Sequence, residues 1–261
     1  MLKKLMKYEL KATSRLLIPL YCILFVMSLI NRFVFKVNRY EGVLGIINQL
    51  LIAAYIMSIF AVLIATFIYM ITRFYKNLLT DEGYLMFTLP AKAHQLITSK
   101  LLITLLWTIL SVIAVGVSLL IALASPEHIA TAISAIKEAI AAANREFGMS
   151  WILPFSEIII LILIGLVANI LLVYVSIALG QLFSKHKIVG SFGAYMLIHI
   201  VLQFVMLIIA AVFGFFVPHS IEDAALVPRV IFPTIIVIAS IGCACFYFIT
   251  DYLFKKKLNL D

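Results

Sequence analysis

The side chains able to do chemistry are few and scattered along the chain. The five histidines are far apart, and the three cysteines, Cys22, Cys243 and Cys245, lie in apolar runs without histidines at metal-ligand spacing. The chain contains no G-x-x-x-x-G-K-[ST] phosphate loop, no H-E-x-x-H helix and no G-x-S-x-G elbow. We therefore predict no catalytic residue, no disulfide and no metal site in this chain.

Three polar side chains fall within otherwise apolar stretches. Asn169 lies midway along one stretch, and His199 lies near the middle of the next, with Gln203 one helical turn further on. Such residues are candidates for function inside a membrane, because they are costly to place in lipid. Each of them either lines a polar path or forms a hydrogen bond across a helix interface, and the second role is the more common.

The composition excludes a water-soluble protein. Of the 261 residues, 65% are hydrophobic and 12% are charged, and the mean hydropathy is +1.18. Soluble domains have about 45–50% apolar and about 25% charged residues. The net charge of +8 comes from basic residues at the ends of apolar segments. These are typical of a membrane surface and not of a nucleic-acid site.

Six apolar stretches approach or exceed the roughly 20 residues that a transmembrane helix needs. We expect an all-α polytopic membrane protein with one transmembrane domain over residues 1–261, in which Pro19 falls in the first turns of the first span. The predicted spans are residues 16–35, 46–72, 101–124, 158–183, 188–217 and 230–250.

The basic residues orient these spans. The flanks 1–15, 73–100, 184–187 and 251–261 carry fourteen Lys and Arg residues, whereas the flanks on the other side carry six. Because cytoplasmic flanks are enriched in Lys and Arg, we predict that both termini are cytoplasmic.

Two segments outside the spans have amphipathic helical patterns. Lys4, Lys7, Lys11 and Arg15 form a basic stripe, which predicts an N-terminal helix at the cytoplasmic membrane surface. On the other side, Ser125 is a helix cap, and isoleucines recur at three- and four-residue spacing through residues 126–147. This predicts an extracytoplasmic helix that is either a structural connector or a lid.

The cytoplasmic loop 73–100 is unusually apolar for a solvated segment. Asp81, Glu82 and Gly83 interrupt its first apolar run, and Pro90 interrupts its second. A short helix at 93–100 is expected to continue into the third span. Exposed apolar side chains of this kind favour binding to a partner protein or a membrane surface.

The sequence FYKNLLTDEGYLMFTLPAKAHQLITSKLL, from Phe74 to Leu102, resembles the corresponding loop of permease subunits of ABC transporters in the ABC-2, or type V exporter, superfamily. The shared features are acidic residues followed by Gly83, an apolar run, Pro90 and a lysine entering the third span, here Lys100. DEGYLMFTLP is similar to the form found in small permeases of Gram-positive bacteria. The six-span layout agrees with this family over the whole chain.

The resemblance implies half of an ATP-driven exporter in a bacterial plasma membrane. Two such subunits would face each other, each on an ATPase subunit that holds ATP and magnesium, so this chain would be no enzyme and carry no cofactor. The loop would be the coupling helix, with partner-binding residues Asp81, Glu82, Gly83, Tyr84, Leu85, Phe87 and Pro90.

The sequence leaves alternatives open for both the cargo and the function. An apolar half-pathway with few charges favours amphipathic cargo, such as a peptide, an antibiotic or a lipid-like molecule. The main alternative is a membrane scaffold or sensor whose loop binds a regulator. An ion-coupled carrier is disfavoured, because no Asp or Glu lies in the middle of a predicted span.

Overall fold

The part of the chain that the computed structural model describes is almost entirely helical. It comprises residues 2–36, 43–79, 93–123, 126–147, 151–183, 186–216 and 227–256. The α-helices in these ranges are α1 (Leu2–Lys36), α2 (Val43–Leu79), α3 (Ala93–Leu123), α4 (Pro126–Phe147), α5 (Ile152–Gly180), α6 (Lys187–Phe216) and α7 (Phe232–Lys256). A π-helical turn at Val227–Ile231 precedes α7.

Six of these helices, all except α4, are long and apolar enough to cross a membrane. The all-α class and the six candidate spans are therefore confirmed. Many large apolar side chains on these helices are exposed, including Phe33, Leu120 and Ile188. Such surfaces suit a protein whose solvent is lipid, because lipid, unlike water, does not penalise exposed hydrocarbon.

The first helix differs from expectation. Residues 2–36 form one uninterrupted α-helix, so the basic N-terminal segment is continuous with the first span. Pro19 consequently lies deep inside α1 and not in a first turn, which corrects that prediction. Membrane helices tolerate an internal proline when neighbouring helices restore the lost stabilisation. The location of residues 1–15 at a cytoplasmic surface stays a prediction.

The helix that precedes the loop 73–100 is longer than predicted, whereas the helix that follows it begins where predicted. Helix α2 continues to Leu79, because the apolar repeat Met70, Phe74 and Leu78 extends past the predicted end at residue 72 and is buried. Helix α3 begins at Ala93, as predicted for the short helix that continues into the third span. Residues 80–92 between these two helices lie outside the described part of the chain.

Other helix ends shift less. Helix α4 covers the predicted residues 126–147. Helix α5 starts six residues before the predicted 158 and ends three residues before 183. The chain also divides into two compact units, Met1–Phe74 with Gln95–Ala135 and Tyr75–His94 with Ile136–Asp261. The single transmembrane domain expected from the sequence stays a prediction.

The first unit contains α1, most of α2 and most of α3. Two apolar clusters hold these helices together, and each takes residues from all three. One cluster comprises Leu17, Met70, Ile103 and Trp107. The other comprises Leu24, Tyr55, Val62, Ala114 and Ala122.

In the second unit, α5 packs against both α6 and α7. Residues 170–178 of α5 are buried on every face of the helix, as expected for a helix at the centre of its unit. The Cys243 thiol of α7 donates a hydrogen bond to the Ile164 carbonyl of α5, with 3.8 Å between sulfur and oxygen. The Tyr247 hydroxyl of α7 donates to the His94 carbonyl at 3.2 Å.

The corner between α5 and α6 depends on a glycine. A Cβ atom at Gly180 would lie 2.0 Å from Ser191 Oγ and 2.4 Å from the backbone nitrogen of Ser191. Both distances are far below van der Waals contact, and the second involves backbone that cannot rotate away. Only glycine allows α5 to end this close to the start of α6.

We expect Gly180→Ala to lower the free energy of unfolding by about 1–3 kcal/mol, because the added methyl group overpacks this corner. The matched control is Gly193→Ala, since a Cβ at that position meets no heavy atom within 4 Å. Thermal unfolding of the two purified variants in detergent measures the difference. Equal melting temperatures for the two would contradict the tight corner.

Candidate functional site

One buried ion cluster joins the three helices of the first unit. Glu9 of α1 is only 5% exposed. Its Oε2 accepts a hydrogen bond from Arg73 Nε of α2 at 2.7 Å, and its Oε1 accepts one from Lys100 Nζ of α3. Lys100 is itself 4% exposed. A single carboxylate therefore bridges two cations from two other helices.

The charges of this cluster depend on one another. Removing an ion from water costs several kcal/mol, and a well-placed opposite charge is needed to offset this. Here one carboxylate interacts with two cations, so Glu9 is a counter-charge that Arg73 and Lys100 share. Arg73 lies within about two turns of the end of α2, and Lys100 lies about two turns into α3.

The two cations of the cluster flank the segment of the chain that is predicted to bind a partner. Arg73 and Lys100 are the two ends of the segment predicted to bind a partner. Both ends are fixed to the same N-terminal helix through one carboxylate. A displacement of the segment is therefore opposed at both of its flanks.

A series of side-chain hydrogen bonds extends from the ion cluster along the same helices. Trp107 Nε1 donates to Thr13 Oγ1 at 2.7 Å. Further along, the Tyr21 hydroxyl lies 2.7 Å from Ser111 Oγ, which donates to Thr66 Oγ1 at 2.9 Å. Interhelical bonds of this kind contribute about 0.6 kcal/mol on average in membrane proteins.

Two more contacts continue this series. The Tyr55 hydroxyl of α2 and Ser118 Oγ of α3 are 3.1 Å apart. Asn31 Nδ2 of α1 donates to the Leu51 carbonyl of α2 at 3.3 Å. The first unit is therefore specified by directional polar pairs as well as by apolar packing.

Helical periodicity explains why these polar groups meet. In α3, Lys100, Trp107, Ser111 and Ser118 are separated by seven, four and seven residues, which places them on one helix face. Glu9 and Thr13 are likewise one turn apart on α1. Three polar stripes, one on each helix, thus face a common axis.

The second unit contains a cleft of about 370 Å³ whose lining includes Asn169, His199 and Gln203. The structure therefore brings together the three polar residues that the sequence identified separately. Asn169 comes from α5, and His199 and Gln203 come from α6. The His199 ring stacks on Tyr195, with ring centroids 6.0 Å apart and planes 6° apart.

All three polar side chains of this cleft are exposed. They do not face a hydrogen-bonding partner on another helix, so the interhelical bond that we favoured for each alone is not seen within the described residues. A polar group facing hydrocarbon is costly. This face is therefore suited to contact with water or with polar groups of another molecule.

The residues predicted to bind an ATPase, Asp81, Glu82, Gly83, Tyr84, Leu85, Phe87 and Pro90, lie outside the described residues. Their roles stay predictions. Over the ranges that the structure describes, no three His, Cys, Asp or Glu side chains are placed to hold a metal ion.

Sequence reasoning missed the role of Glu9. The residue is the first acid in the chain, and the next acid is Glu41. A lone carboxylate among lysines, on the helix face opposite the basic stripe, was a signal that it is buried against a cation. Its partners are 64 and 91 residues away in the chain, and spacing alone does not identify them.

Comparison with known proteins finds no family model that matches the chain, no significantly similar curated protein and no significantly similar solved structure. Inferences about function therefore depend on the residues and on their geometry.

We expect Glu9→Gln to lower the free energy of unfolding by about 3–5 kcal/mol, the usual cost of removing one partner from a buried ion pair. The neutral amide removes the counter-charge that Arg73 and Lys100 share. Thermal unfolding in detergent measures the loss. Hydrogen exchange over residues 93–100 should also accelerate, because the start of α3 loses its link to α1.

Glu138→Gln is the matched control for this substitution, because Glu138 is an exposed residue of α4. We expect it to change stability by less than about 0.5 kcal/mol. If the two variants unfolded alike, the ion cluster would not stabilise the first unit.

Proposed function

We propose that the chain is the membrane-spanning permease subunit of an ATP-driven ABC exporter. It forms half of a translocation pathway and transmits motion from a separate ATPase subunit, which binds ATP and magnesium and hydrolyses the nucleotide. The cytoplasmic segment around Asp81–Pro90 docks on that ATPase. Both termini are cytoplasmic, and the membrane is a bacterial plasma membrane.

The observation that carries this proposal is the bridge from Glu9 to Arg73 and Lys100. A coupling segment must convert a push from a soluble motor into movement of spans, and a segment on flexible ends would absorb that push. Here both flanking helices are long, and both form ion pairs with the buried Glu9 of a third helix. Motion imposed on the segment then moves α1, α2 and α3 together, as in rigid-body switching.

The cleft with Asn169, His199 and Gln203 supports the pathway part of the proposal. A route for amphipathic cargo needs apolar walls with a few polar groups, and this cleft is mainly apolar with three such groups. A second permease subunit or a water-filled path would shield these groups from lipid. This agrees with a half-pathway that becomes complete in a dimer.

The direct test is copurification of a tagged chain from its native membranes. We expect recovery of a protein that contains a G-x-x-x-x-G-K-[ST] loop and hydrolyses ATP. The double substitution Asp81→Lys with Glu82→Lys should lower the recovery by about tenfold or more, which corresponds to a loss of about 1.4 kcal/mol in binding free energy. Like charges at an interface are costly enough to produce this change.

The control is Glu138→Lys, a charge reversal at an exposed position of α4. It should leave recovery of the ATPase unchanged, because α4 is predicted to be on the opposite side of the membrane. Recovery of a partner without a phosphate loop would favour the scaffold or sensor. If the Asp81→Lys, Glu82→Lys variant recovered as much ATPase as the wild type does, this segment would have no docking role.

A further inference from the structure

A groove without polar lining residues lies where α4 meets the start of α5. Its volume is about 420 Å³, within the range of about 300–1,000 Å³ that is usual for small-molecule sites. One wall includes Ile136, Ile140 and Ala143 of α4. The other includes Trp151, which immediately precedes α5, and Phe155 and Ile158 of α5. The site is separate from the cleft and the ion cluster described above.

The groove has a defined shape because its corner is closed by specific contacts. The backbone N–H of Trp151 donates to Asn144 Oδ1 at 2.8 Å, which links the last turns of α4 to the start of α5. The Trp151 and Phe155 rings meet edge to face, with centroids 5.5 Å apart. The hydrogen bond connects the two walls, and the ring contact fixes the shape of the wall at the start of α5.

The groove is open to its surroundings. Ile136 is 59% exposed and Phe155 is 52% exposed, although both are apolar. Helix α4 lies in the chain between two helices long enough to cross a membrane, α3 and α5. The start of α5 is therefore next to a bilayer surface, where tryptophan is a typical residue.

A positive charge beside the groove, on Lys137, indicates the chemical class of its occupant. Lys137 is exposed and follows the groove residue Ile136. Successive helix residues are offset by about 100°, so Lys137 lies at the border of the groove-lining face. An ammonium group at the edge of an apolar groove complements a phosphate headgroup whose hydrocarbon chain fills the groove.

We propose that this groove binds one acyl chain of a phospholipid, with the phosphate near Lys137. The lipid belongs to the leaflet at the α4 end of the spans, which is the outer leaflet in the predicted orientation. Bound lipid would hold the apolar face of α4 against the membrane. The site does not depend on whether the chain is a transporter subunit.

The test reconstitutes the full chain in vesicles of phosphatidylcholine and phosphatidylglycerol that contain a phospholipid with a photoactivatable acyl chain. After illumination, digestion and mass spectrometry locate the attached lipid. We expect adducts on residues 136–158 to exceed those on the exposed apolar residues of α2 between Ile56 and Ile68 by about tenfold. Comparable labelling of both segments would show ordinary surrounding lipid only and would overturn the proposal.

A matched pair of variants tests the groove itself. Ala143→Phe fills the groove and should reduce adducts on residues 136–158 about tenfold. Ala141→Phe makes the same change two residues earlier, at an exposed position that does not line the groove, and should not reduce them. Melting temperatures equal to that of the wild type would show that both variants fold. The labelling of the wild-type chain tests the proposal independently of the two variants.

Lys137→Gln tests the headgroup contact and should lower the share of phosphatidylglycerol among the adducts. A further arm places cysteine at Ala139 and oxidises the vesicles. The unsubstituted chain, with its free cysteines Cys22, Cys243 and Cys245, is the control for this arm. Disulfide-linked dimers that require the cysteine at position 139, together with absent lipid adducts, would mean that a second copy covers the groove, and the proposal would fail.

Discussion

The first unit of the protein depends on a carboxylate that is not in water. Arg73 and Lys100 approach Glu9 from two other helices and stabilise its charge where it is buried. This arrangement fixes the rotation of α1 and the heights of α2 and α3 beside it. The Thr13–Trp107 bond and the Tyr21, Ser111 and Thr66 hydroxyls then fall into register further along the same faces.

Directional contacts matter more in a membrane protein than in a soluble one. Lipid is as apolar as a leucine side chain, so burial of hydrocarbon between helices gives little advantage over its exposure to lipid. The many exposed apolar residues of α2 and α6 fit this condition. Association must come from close packing and from polar pairs, which is the arrangement seen in the first unit.

The sequence predicted local features well. The apolar repeat and the Ser125 cap signal predicted α4 over residues 126–147, and the turn at Pro90 predicted a helix from Ala93. Local rules failed where a helix continues past its apolar window, as at the N-terminus of α1 and the C-terminus of α2. There, burial of Glu9, Phe74 and Leu78 extends the helix beyond the membrane-length stretch.

The sites were predicted less completely, because they depend on contacts between distant residues. Asn169, His199 and Gln203 were recognised individually, but their shared cleft required the packing of α5 on α6. Glu9 was seen only as a residue away from the basic stripe. Lys100 was seen only as the lysine entering the third span. No periodic pattern connects residues that are 91 positions apart.

The measurement closest to the central claim is a double-mutant cycle between Glu9→Gln and Lys100→Met, in which the free energy of unfolding is determined for each variant and for the double variant. Methionine keeps the length of lysine without its charge. If Glu9 bridges the helices as described, the two effects are non-additive, with an interaction energy of about 1–3 kcal/mol. Additivity within about 0.5 kcal/mol would show that the two groups do not interact and would contradict the account.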